Sequence, residues 1–285
     1  MDGFIIIDKP IGMSSHDVCF KLRKVYNTKK IGHTGTLDPL ATGVLVVAVG
    51  KATKLIQYLE NQKKTYIAEV LFGIDTDTYD VLGKVVKKCD EFDLNNQIID
   101  SALTELKETK TQIPPIYSAI KVDGMKLYDY ALQNKDVNIA SRPVLIEELE
   151  RVSDYEKKLC KIKIRANKGF YVRSLIHDLG IKLSCFATMK NLVRIKAGNY
   201  DLSMAKKLDD VLNDNSLLSI EETFSYLDRI EVTDYIAKLV KNGVVLDNRQ
   251  YNKNELFRVY NNDKLIAIYA PSNKNQYKLV VYLGD

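Results

Sequence analysis

The sequence is organised around a glycine-rich stretch, Gly32-His33-Thr34-Gly35-Thr36-Leu37-Asp38-Pro39-Leu40-Ala41-Thr42-Gly43, which runs directly into Val44-Leu45-Val46-Val47-Ala48-Val49. The apolar run predicts a buried strand at the centre of a sheet, because strands covered on both faces are continuously hydrophobic. The glycines allow the preceding loop to approach a ligand closely or to adopt positive φ. The loop either presents Asp38 as a nucleophile or base, or is a tight turn in which Asp38 caps a backbone amide.

Motifs for nucleotide and metal binding are missing from the sequence. The glycine-rich loop matches neither G-x-x-x-x-G-K-[ST] nor G-x-G-x-x-G, so we do not expect it to cradle a phosphate. The chain has three His, and its four Cys, at positions 19, 89, 160 and 185, include no C-x-x-C pair. We therefore expect no metal or haem site, and free, buried thiols in a reducing compartment.

The length and composition are those of an ordinary folded protein. The chain has 285 residues, of which 46% are hydrophobic and 28% charged, so extensive disorder is excluded. At roughly 150 residues per domain, this length predicts two domains or one large domain with an appendage. The longest apolar run falls far short of the roughly 18 residues of a membrane span, and Met1-Asp2-Gly3-Phe4 lacks the basic start of a signal peptide. We expect a cytoplasmic protein that does not act at a membrane.

Positive charge is distributed unevenly along the chain. Lys and Arg number 42 against 37 Asp and Glu, which gives a net charge of +5. The excess lies in residues 1–72, 111–196 and 233–285, with acidic segments between them. If these basic blocks converge in the fold, they form a surface for a polyanion such as nucleic acid. If they do not, they are solvated surface of uneven composition.

The pattern of apolar residues predicts a mixed α/β fold. Strands are expected at Gly3–Ile7, Val44–Val49, Lys64–Gly73 with Gly83–Lys88 beside it, and Arg142–Val152 paired with Lys157–Ala166. Helices are expected at Ser15–Tyr26 with Ser15 as its cap, Ala52–Glu60, Leu94–Leu106, Met125–Gln133, Tyr171–Leu183 and residues 203–226. From about residue 229, short strands accompany one helix at Asp234–Lys241, which predicts a small β-rich appendage.

Several other segments resemble the motifs of one protein family. In chain order they are Lys9-Pro10-Ile11-Gly12, Lys64-Thr65-Tyr66, residues 112–121 (QIPPIYSAIK), residues 124–131 (GMKLYDYA), Arg142-Pro143-Val144, residues 168–176 (KGFYVRSLI) and Leu192-Val193-Arg194. With the glycine-rich loop, these motifs resemble the TruB family of tRNA pseudouridine synthases, from residue 9 to about residue 200. The chain departs from the family at Met13-Ser14-Ser15, where x-T-S is usual. It also departs at Val193, which replaces the first Arg of L-R-R and removes one expected phosphate contact.

The resemblance implies a fold and a domain organisation. Residues 1–228 would form a pseudouridine synthase catalytic domain of the α/β (mixed α+β) class, built on a largely antiparallel central sheet. Residues 117–145 would be a thumb-like insertion that clamps RNA. Residues 229–285 would form a small, β-rich, PUA-like RNA-binding domain. This part of the resemblance is based on the segment Leu239–Leu246.

The resemblance also implies a reaction, the isomerisation of uridine 55 in the T loop of tRNA to pseudouridine. The bond between C1′ and N1 breaks and the uracil rejoins through C5, so the reaction needs no cofactor and no metal. Asp38 would be the catalytic carboxylate, by attacking C1′, adding to C6 or removing the C2′ proton, and the sequence leaves these three roles open. Arg173 would lie within about 4–6 Å of Asp38 and keep it ionised. Without the resemblance, Arg173 would be assigned to a surface or structural ion pair.

The target uridine must leave the base stack to react, which implies base flipping into the enzyme. By resemblance Tyr66 would stack on the uracil and take part in proton transfer at C5, and His33 would lie beside the flipped base. Tyr171 and Leu192 would line the uridine site. The implied phosphate contacts are Lys9, Lys64 and Lys121. By residue type alone, Leu192 is typical of a core and the lysines of a solvated surface.

The implied partner is tRNA, bound through its T-arm stem-loop by a monomer with no obligate protein partner. The sequence shows none of the long basic extensions of the relatives that work with guide RNA and partner proteins. A second hypothesis is a tRNA-folding chaperone whose benefit does not depend on isomerisation. Asp38→Asn separates the two, because it should abolish the chemistry and leave RNA binding mostly intact.

Overall fold

The chain folds around two β-sheets, described by a computed structural model for residues 1–273 and 275–284. Within these residues the α-helices are α1 (Ser15–Val25), α2 (Ile56–Glu60), α3 (Asn96–Lys107), α4 (Leu127–Leu132), α5 (Val172–Lys182), α6 (Ile220–Thr223) and α7 (Asp234–Lys241). Short 3-10 turns lie at Gly50–Leu55, Leu202–Met204 and Asp210–Leu212.

The strands divide between the two sheets and three small hairpin-like pairs. The first half of the chain contributes β1 (Gly3–Lys9), β2 (Ile31–His33), β3 (Thr42–Val49), β4 (Lys64–Phe72), β5 (Ile74–Thr76), β6 (Val85–Lys88), β7 (Thr111–Gln112), β8 (Lys121–Val122), β9 (Met125–Lys126) and β10 (Arg142–Pro143). The second half contributes β11 (Ile146–Arg151), β12 (Leu159–Ala166), β13 (Ala187–Ala197), β14 (Tyr200–Asp201), β15 (Lys206–Lys207), β16 (Asp228–Glu231), β17 (Leu246–Asp247), β18 (Phe257–Asn261), β19 (Lys264–Pro271) and β20 (Gln276–Tyr282).

The larger sheet has the order β11-β12-β4-β13-β3-β1-β15, with β2 beside β3 and β14 beside β13. Its neighbouring strands run antiparallel except at two places, where β13 lies parallel to β3 and β15 lies parallel to β1. The mixed α/β class and the largely antiparallel sheet are therefore confirmed.

Both faces of β1 and β3 are covered, which explains their unbroken apolar sequences. On one face, Ile5 and Ile7 of β1 pack with Leu45 of β3 against Val18 and Leu22 of α1. On the other face, alternate residues of the same strands pack against the second sheet and the segment around α6. The residues of that second cluster include Phe4, Ile6, Val44, Val46, Phe224, Ile268 and Val281.

The remaining strands of the larger sheet are covered by two helices. Ile99 and Leu103 of α3 lie in one cluster with Leu175 and Leu179 of α5, together with residues of β4, β12 and β13. Helix α5 is thereby fixed against β13 with its first turn at the edge of the strands. This placement matters for the site, because Arg173 is in that first turn.

The second sheet has the order β16-β18-β19-β20-β17 and packs against α7 through its own cluster of buried residues. A small β-rich unit at the C-terminal end is therefore confirmed. The predicted helix Asp234–Lys241 is present as α7, and the short strands β18, β19 and β20 follow it.

Three predictions about local structure were wrong, and one strand was missed. Val85–Lys88 pairs with Ile74–Thr76, not with the preceding strand β4. Residues 203–226 form short turns, β15 and the four-residue α6 in place of a continuous helix. The cap of α1 is Ser14, which forms a capping box with Asp17. Strand β13, next to β4 and β3, was not predicted at all.

Two other expectations concern membranes and thiols. Among the described residues, no helix is long and apolar enough to cross a membrane. All four cysteines are free. Cys19, Cys160 and Cys185 are buried as predicted, and Cys89 is partly exposed.

Candidate active site

A cleft of about 870 Å³ opens where the glycine-rich loop, β4, the turn after β5 and the start of α5 meet. Seven of the nine residues predicted for the site line this cleft, namely His33, Asp38, Lys64, Tyr66, Tyr171, Arg173 and Leu192. Lys9 and Lys121 are not among its lining residues. The structure thus brings together residues that lie far apart in the sequence, from His33 to Leu192.

Asp38 and Arg173 form an ion pair at the base of the cleft. Nε of Arg173 lies 3.0 Å from Oδ2 of Asp38. The Arg173 side chain is 6% exposed, whereas that of Asp38 is 36% exposed. The guanidinium therefore orients the carboxylate from the protein side and leaves it open to a ligand in the cleft.

Arg173 is itself held by three other groups. Its Nη1 donates to the carbonyl of Thr78 at 3.0 Å, and its Nη2 donates to the carbonyl of Tyr117 at 3.0 Å. The carboxylate of Asp80, which is 6% exposed, lies 3.7 Å from Nη1. Asp80 was missed in the sequence analysis, because nothing in its local sequence shows that it faces an arginine almost a hundred residues away.

Arg194 is the fully buried cation beneath the loop that carries Asp38. Its Nε donates to the carbonyl of Val44 at 2.7 Å, and its two other nitrogens donate to the carbonyls of Gly35 and Thr36 at 3.0 and 3.3 Å. Burial lowers the pKa of Arg194 and its contact with the Tyr66 hydroxyl opposes that change. An arginine stays charged in such a setting, so three backbone dipoles are fixed by one charge.

Gly43 is the point at which the loop passes closest to β13. It has a φ of 98°, which favours glycine. A Cβ there would lie 2.3 Å from the carbonyl oxygen of Arg194. The glycine at the end of the loop is therefore required both by backbone conformation and by space.

The N-terminal segment holds the other side of the same loop. Ser15 Oγ accepts from the backbone N–H of Leu37 at 2.8 Å and donates to its carbonyl at 3.1 Å. The N–H of Gly12 donates to the carbonyl of Pro39 at 2.8 Å. With Arg194, these contacts fix the backbone on either side of Asp38.

Lys9 is placed differently from its predicted role as a phosphate contact. It is 0% exposed, and its Nζ donates to the carbonyls of Pro10 (2.9 Å) and Met13. Burial lowers its pKa from 10.5 to about 8, although the charge of Asp38 opposes this shift. Its position argues against direct contact with a phosphate and places it in the turn beside the loop that carries Asp38.

Lys64 and Tyr66 lie on β4 at the edge of the cleft. Lys64 is 6% exposed and its Nζ donates to the carbonyl of Glu60. Burial, with the charges of Arg194 and Lys168, lowers the pKa of Lys64 from 10.5 to about 8. Tyr66 is half-buried and lies directly opposite Arg194 across the β4–β13 ladder.

The other aromatic and apolar residues of the cleft are arranged around this centre. Burial raises the pKa of Tyr171, so its phenol is neutral near pH 7. Burial and the charge of Arg194 lower the pKa of His33, so its ring is also neutral. Leu192 is 6% exposed and belongs to the hydrophobic core while also lining the cleft. Tyr171, His33 and Leu192 therefore supply uncharged surface beside the Asp38–Arg173 pair.

Gln112 holds the start of α5 in place. Its side-chain amide accepts from the backbone N–H of Tyr171 at 2.9 Å and donates to the carbonyl of Tyr171 at 3.0 Å. The hydroxyl of Ser174 donates to the carbonyl of Ile113 at 2.9 Å. The first turn of α5, which presents Arg173, is thus hydrogen-bonded to the segment Gln112-Ile113.

Residues 117–145 lie along the rim of the cleft. They contain the β8–β9 hairpin and α4, and Tyr117, Lys126 and Tyr128 line the cleft. Lys121 is exposed on β8, outside the cleft. Among residues 1–273 and 275–284, no group of three or more His, Cys, Asp or Glu side chains could hold a metal ion.

Comparison with known proteins identifies relatives along the whole chain. Residues 23–172 match the family model "TruB family pseudouridylate synthase (N terminal domain)". Residues 173–232 match the model "tRNA pseudouridylate synthase B C-terminal domain". The chain is 38% identical over 290 residues to the tRNA pseudouridine synthase B of Clostridium acetobutylicum, covering 99% of this chain and 100% of that one. It is 40% identical over 284 residues to the protein of the same name from Fusobacterium nucleatum, covering 98% of each.

The fold is shared with solved structures as well. The chain superposes on the crystal structure of a Cbf5-Nop10-Gar1 complex with a TM-score of 0.71 and 24% identity, covering 96% of this chain and 79% of the other. This likeness confirms the pseudouridine synthase fold. The ordered motifs, the fold and the two family models lead to one conclusion: the chain belongs to the TruB family of pseudouridine synthases, which are isomerases.

Proposed function

We propose that this enzyme converts uridine 55 in the T loop of tRNA to pseudouridine, with Asp38 as the catalytic carboxylate. The observation that carries the proposal is the Asp38–Arg173 ion pair at 3.0 Å, in which the arginine is buried and the carboxylate faces the cleft. Relatives over the full length of the chain are named tRNA pseudouridine synthase B, which supports tRNA as the substrate.

The reaction conserves atoms and electrons. The C1′–N1 bond breaks, the uracil turns, and a C1′–C5 bond forms, after which the C5 proton is lost and N1 carries a proton. An ionised Asp38 suits each of its three candidate roles, namely attack on C1′, addition to C6 and removal of the C2′ proton. A buried guanidinium holds the carboxylate in one orientation without the help of water.

The cleft suits a nucleotide that has left the base stack. Tyr66 and Tyr171 supply aromatic surface, Leu192 supplies an apolar wall, and His33 supplies a neutral ring. Side chains of this kind offset the few kcal/mol needed to unstack a base. We assign Tyr66 to stacking on the uracil and to proton transfer at C5, and Arg173 to holding Asp38.

We assign the RNA-binding surface to the rim of the cleft and to the C-terminal unit. Residues 117–145 form the clamp, and the exposed Lys121, with Lys126 and Lys168 at the rim, supplies positive charge for the phosphates. Residues 1–228 would be the catalytic domain, and residues 229–285 a PUA-like domain that extends the contact to the RNA. The enzyme would act as a cytoplasmic monomer on the T arm alone, without a protein partner.

The test is tritium release from a T-arm RNA that carries C5-tritiated uridine at position 55, with the same RNA labelled at another uridine as the control. Wild type should release tritium from position 55 only. Asp38→Asn should release none while binding the RNA with nearly unchanged affinity. Release by Asp38→Asn at the wild-type rate would refute the role of Asp38, and release from the control position would refute the site assignment.

The chaperone hypothesis gives a different result in the same experiment. RNA binding without tritium release by wild type would refute isomerisation of this substrate and favour the chaperone. Salt dependence cannot separate the hypotheses, because binding through phosphates weakens with salt in both.

A further inference from the structure

The helix that presents Arg173 also carries His177, one turn further along the same face. Nδ1 of His177 lies 3.0 Å from Oδ1 of Asp75, which is 3% exposed. Because a carboxylate can only accept a hydrogen bond, Nδ1 carries the proton and donates it. Neither side chain lines the cleft, so this pair has no direct contact with a bound nucleotide.

Tyr79 covers the face of the His177 ring. The two rings stack with centroids 4.0 Å apart and an interplanar angle of 17°. Tyr79 has a φ of 61°, a left-handed conformation that is strained for a large aromatic residue. Such strain persists only where the surroundings enforce it. Here the carbonyl of Tyr79 accepts from the N–H of Met189 at 3.0 Å, and the His177 ring holds its side chain.

The neighbours of Tyr79 are the groups that hold Arg173. The carbonyl of Thr78 accepts from Nη1 of Arg173, and the carboxylate of Asp80 lies beside the same nitrogen. Hydrogen bonds within the turn link these two neighbours, since the Thr78 hydroxyl donates to Oδ1 of Asp80 at 2.8 Å. A change in the backbone of Tyr79 therefore moves both partners of the guanidinium together.

We propose that His177 is a positioning residue for Arg173. Through its hydrogen bond to Asp75 and its stack on Tyr79, it fixes the turn after β5 in a strained conformation. That turn holds the guanidinium in the orientation that Asp38 needs. The inference rests on the catalytic role proposed above for the Asp38–Arg173 pair.

The expected effect is on the rate and not on RNA affinity. In single-turnover tritium release, His177→Ala should be slower by roughly 10- to 100-fold, as for a misplaced catalytic group. The dissociation constant for the T-arm RNA should change less than twofold, since the ring lies outside the cleft. His177→Phe keeps a ring without the hydrogen bond and His177→Gln keeps a donor without the ring, so both should lie between His177→Ala and wild type.

A matched control comes from the same helix. Lys182 is in the last turn of α5 and its Nζ pairs with Glu105 of α3, away from the turn after β5. Lys182→Ala removes an interaction of α5 without touching the Tyr79 turn. It should keep the wild-type rate constant, which separates loss of positioning from general disturbance of the helix.

A double-mutant cycle gives a result that a merely structural role would not produce. If His177 acts through Arg173, adding His177→Ala to Arg173→Lys should slow the reaction much less than it slows wild type. An equal factor in both backgrounds would overturn the proposal. So would an unchanged rate in His177→Ala, or a slower rate fully explained by a smaller folded fraction in a thermal melt. Should His177→Ala not fold, the same cycle is run with His177→Gln.

Asp38→Asn is measured beside these variants. Activity in Asp38→Asn would overturn the proposed catalytic role, whatever His177→Ala does. An inactive Asp38→Asn together with a wild-type rate in His177→Ala would overturn only the positioning role.

Discussion

Replacing Ser15 by alanine removes one oxygen atom that fastens helix α1 to the loop carrying Asp38. Ser15 Oγ makes both of its hydrogen bonds with the backbone of Leu37, at 2.8 and 3.1 Å. Ser15 is 1% exposed, so water does not take the place of the missing hydroxyl. The variant therefore leaves the buried backbone N–H of Leu37 without a partner, directly before Asp38.

The size of the effect follows from that unpaired group. A buried donor without a partner costs about 1–3 kcal/mol. Since each kcal/mol lowers the melting temperature of a domain of this size by roughly 2–4 °C, we expect Ser15→Ala to melt roughly 2–12 °C below wild type. We expect its single-turnover rate to fall roughly tenfold, because displacement of Leu37 displaces Asp38.

The neighbouring serine is the matched control. Ser14 caps α1, with its Oγ accepting from the N–H of Asp17 at 3.1 Å, and it does not contact the loop. Ser14→Ala should cost about 1 kcal/mol of stability and leave the rate per folded enzyme unchanged. Circular dichroism melts and tritium release on both variants decide the matter. Equal rates in Ser14→Ala and Ser15→Ala, or a wild-type melting temperature in Ser15→Ala, would refute the reasoning.

Three further predictions concern the same centre. Gly43→Ala should unfold at a clearly lower temperature or fail to fold, because its Cβ would lie 2.3 Å from the Arg194 carbonyl oxygen; a wild-type melt would contradict this. Asp80→Asn should slow tritium release at nearly unchanged RNA affinity, because it removes a charge 3.7 Å from Arg173; a wild-type rate would show that the Thr78 and Tyr117 carbonyls suffice. The pKa of Lys64 is about 8 in the folded protein and 10.5 in the unfolded chain. Because the unfolded state binds more protons between these two pH values, the free energy of unfolding rises with pH there. In urea titrations, the free energy of unfolding of wild type should rise by about 1 kcal/mol relative to that of Lys64→Met between pH 7 and 9. If the difference between the two proteins stays constant over this range, the pKa of Lys64 is not lowered.

The strands that could be predicted from the sequence are those with a regular pattern. β3 is covered on both faces and is apolar throughout, and β12 alternates between buried and exposed residues. β13 could not be found in this way, because its pairing with β4 shifts register twice, between Met189 and Asn191 and between Arg194 and Lys196. Each shift breaks the alternation of period two on which strand prediction depends.

The acidic segment 203–226 was mistaken for a helix for a related reason. The side chain of Asp214 accepts from the backbone N–H of Ser216, and Ser219 caps the short helix α6. Such residues favour turns over helix interiors. The buried residues of this segment, among them Val211 and Phe224, are anchors for separate turns.

The family motifs could predict which side chains gather in the cleft, but not which charges lie beneath it. Asp38, Tyr66 and Arg173 were selected through motifs, and the structure places them in one cleft. Arg194 ends the Leu192-Val193-Arg194 motif, from which no role was predicted for it, yet it is 2% exposed and bonds three loop carbonyls. Lys9 is likewise inside. From the sequence, a charged residue is expected at an exposed position. Only the tertiary contacts show that buried carbonyl groups surround it.

The hydrogen bonds from Arg194 to the loop that carries Asp38 can form only late in the synthesis of the chain. Arg194 lies 159 residues after Gly35, one of the residues whose carbonyl it holds. At translation rates of roughly 5–20 residues per second, the loop waits roughly 10 to 30 s on the ribosome before that side chain has been made. During this interval the nascent chain already contains Asp38 but not the cation that fixes its loop. The loop can therefore take up its final set of hydrogen bonds only after β13 has been synthesised.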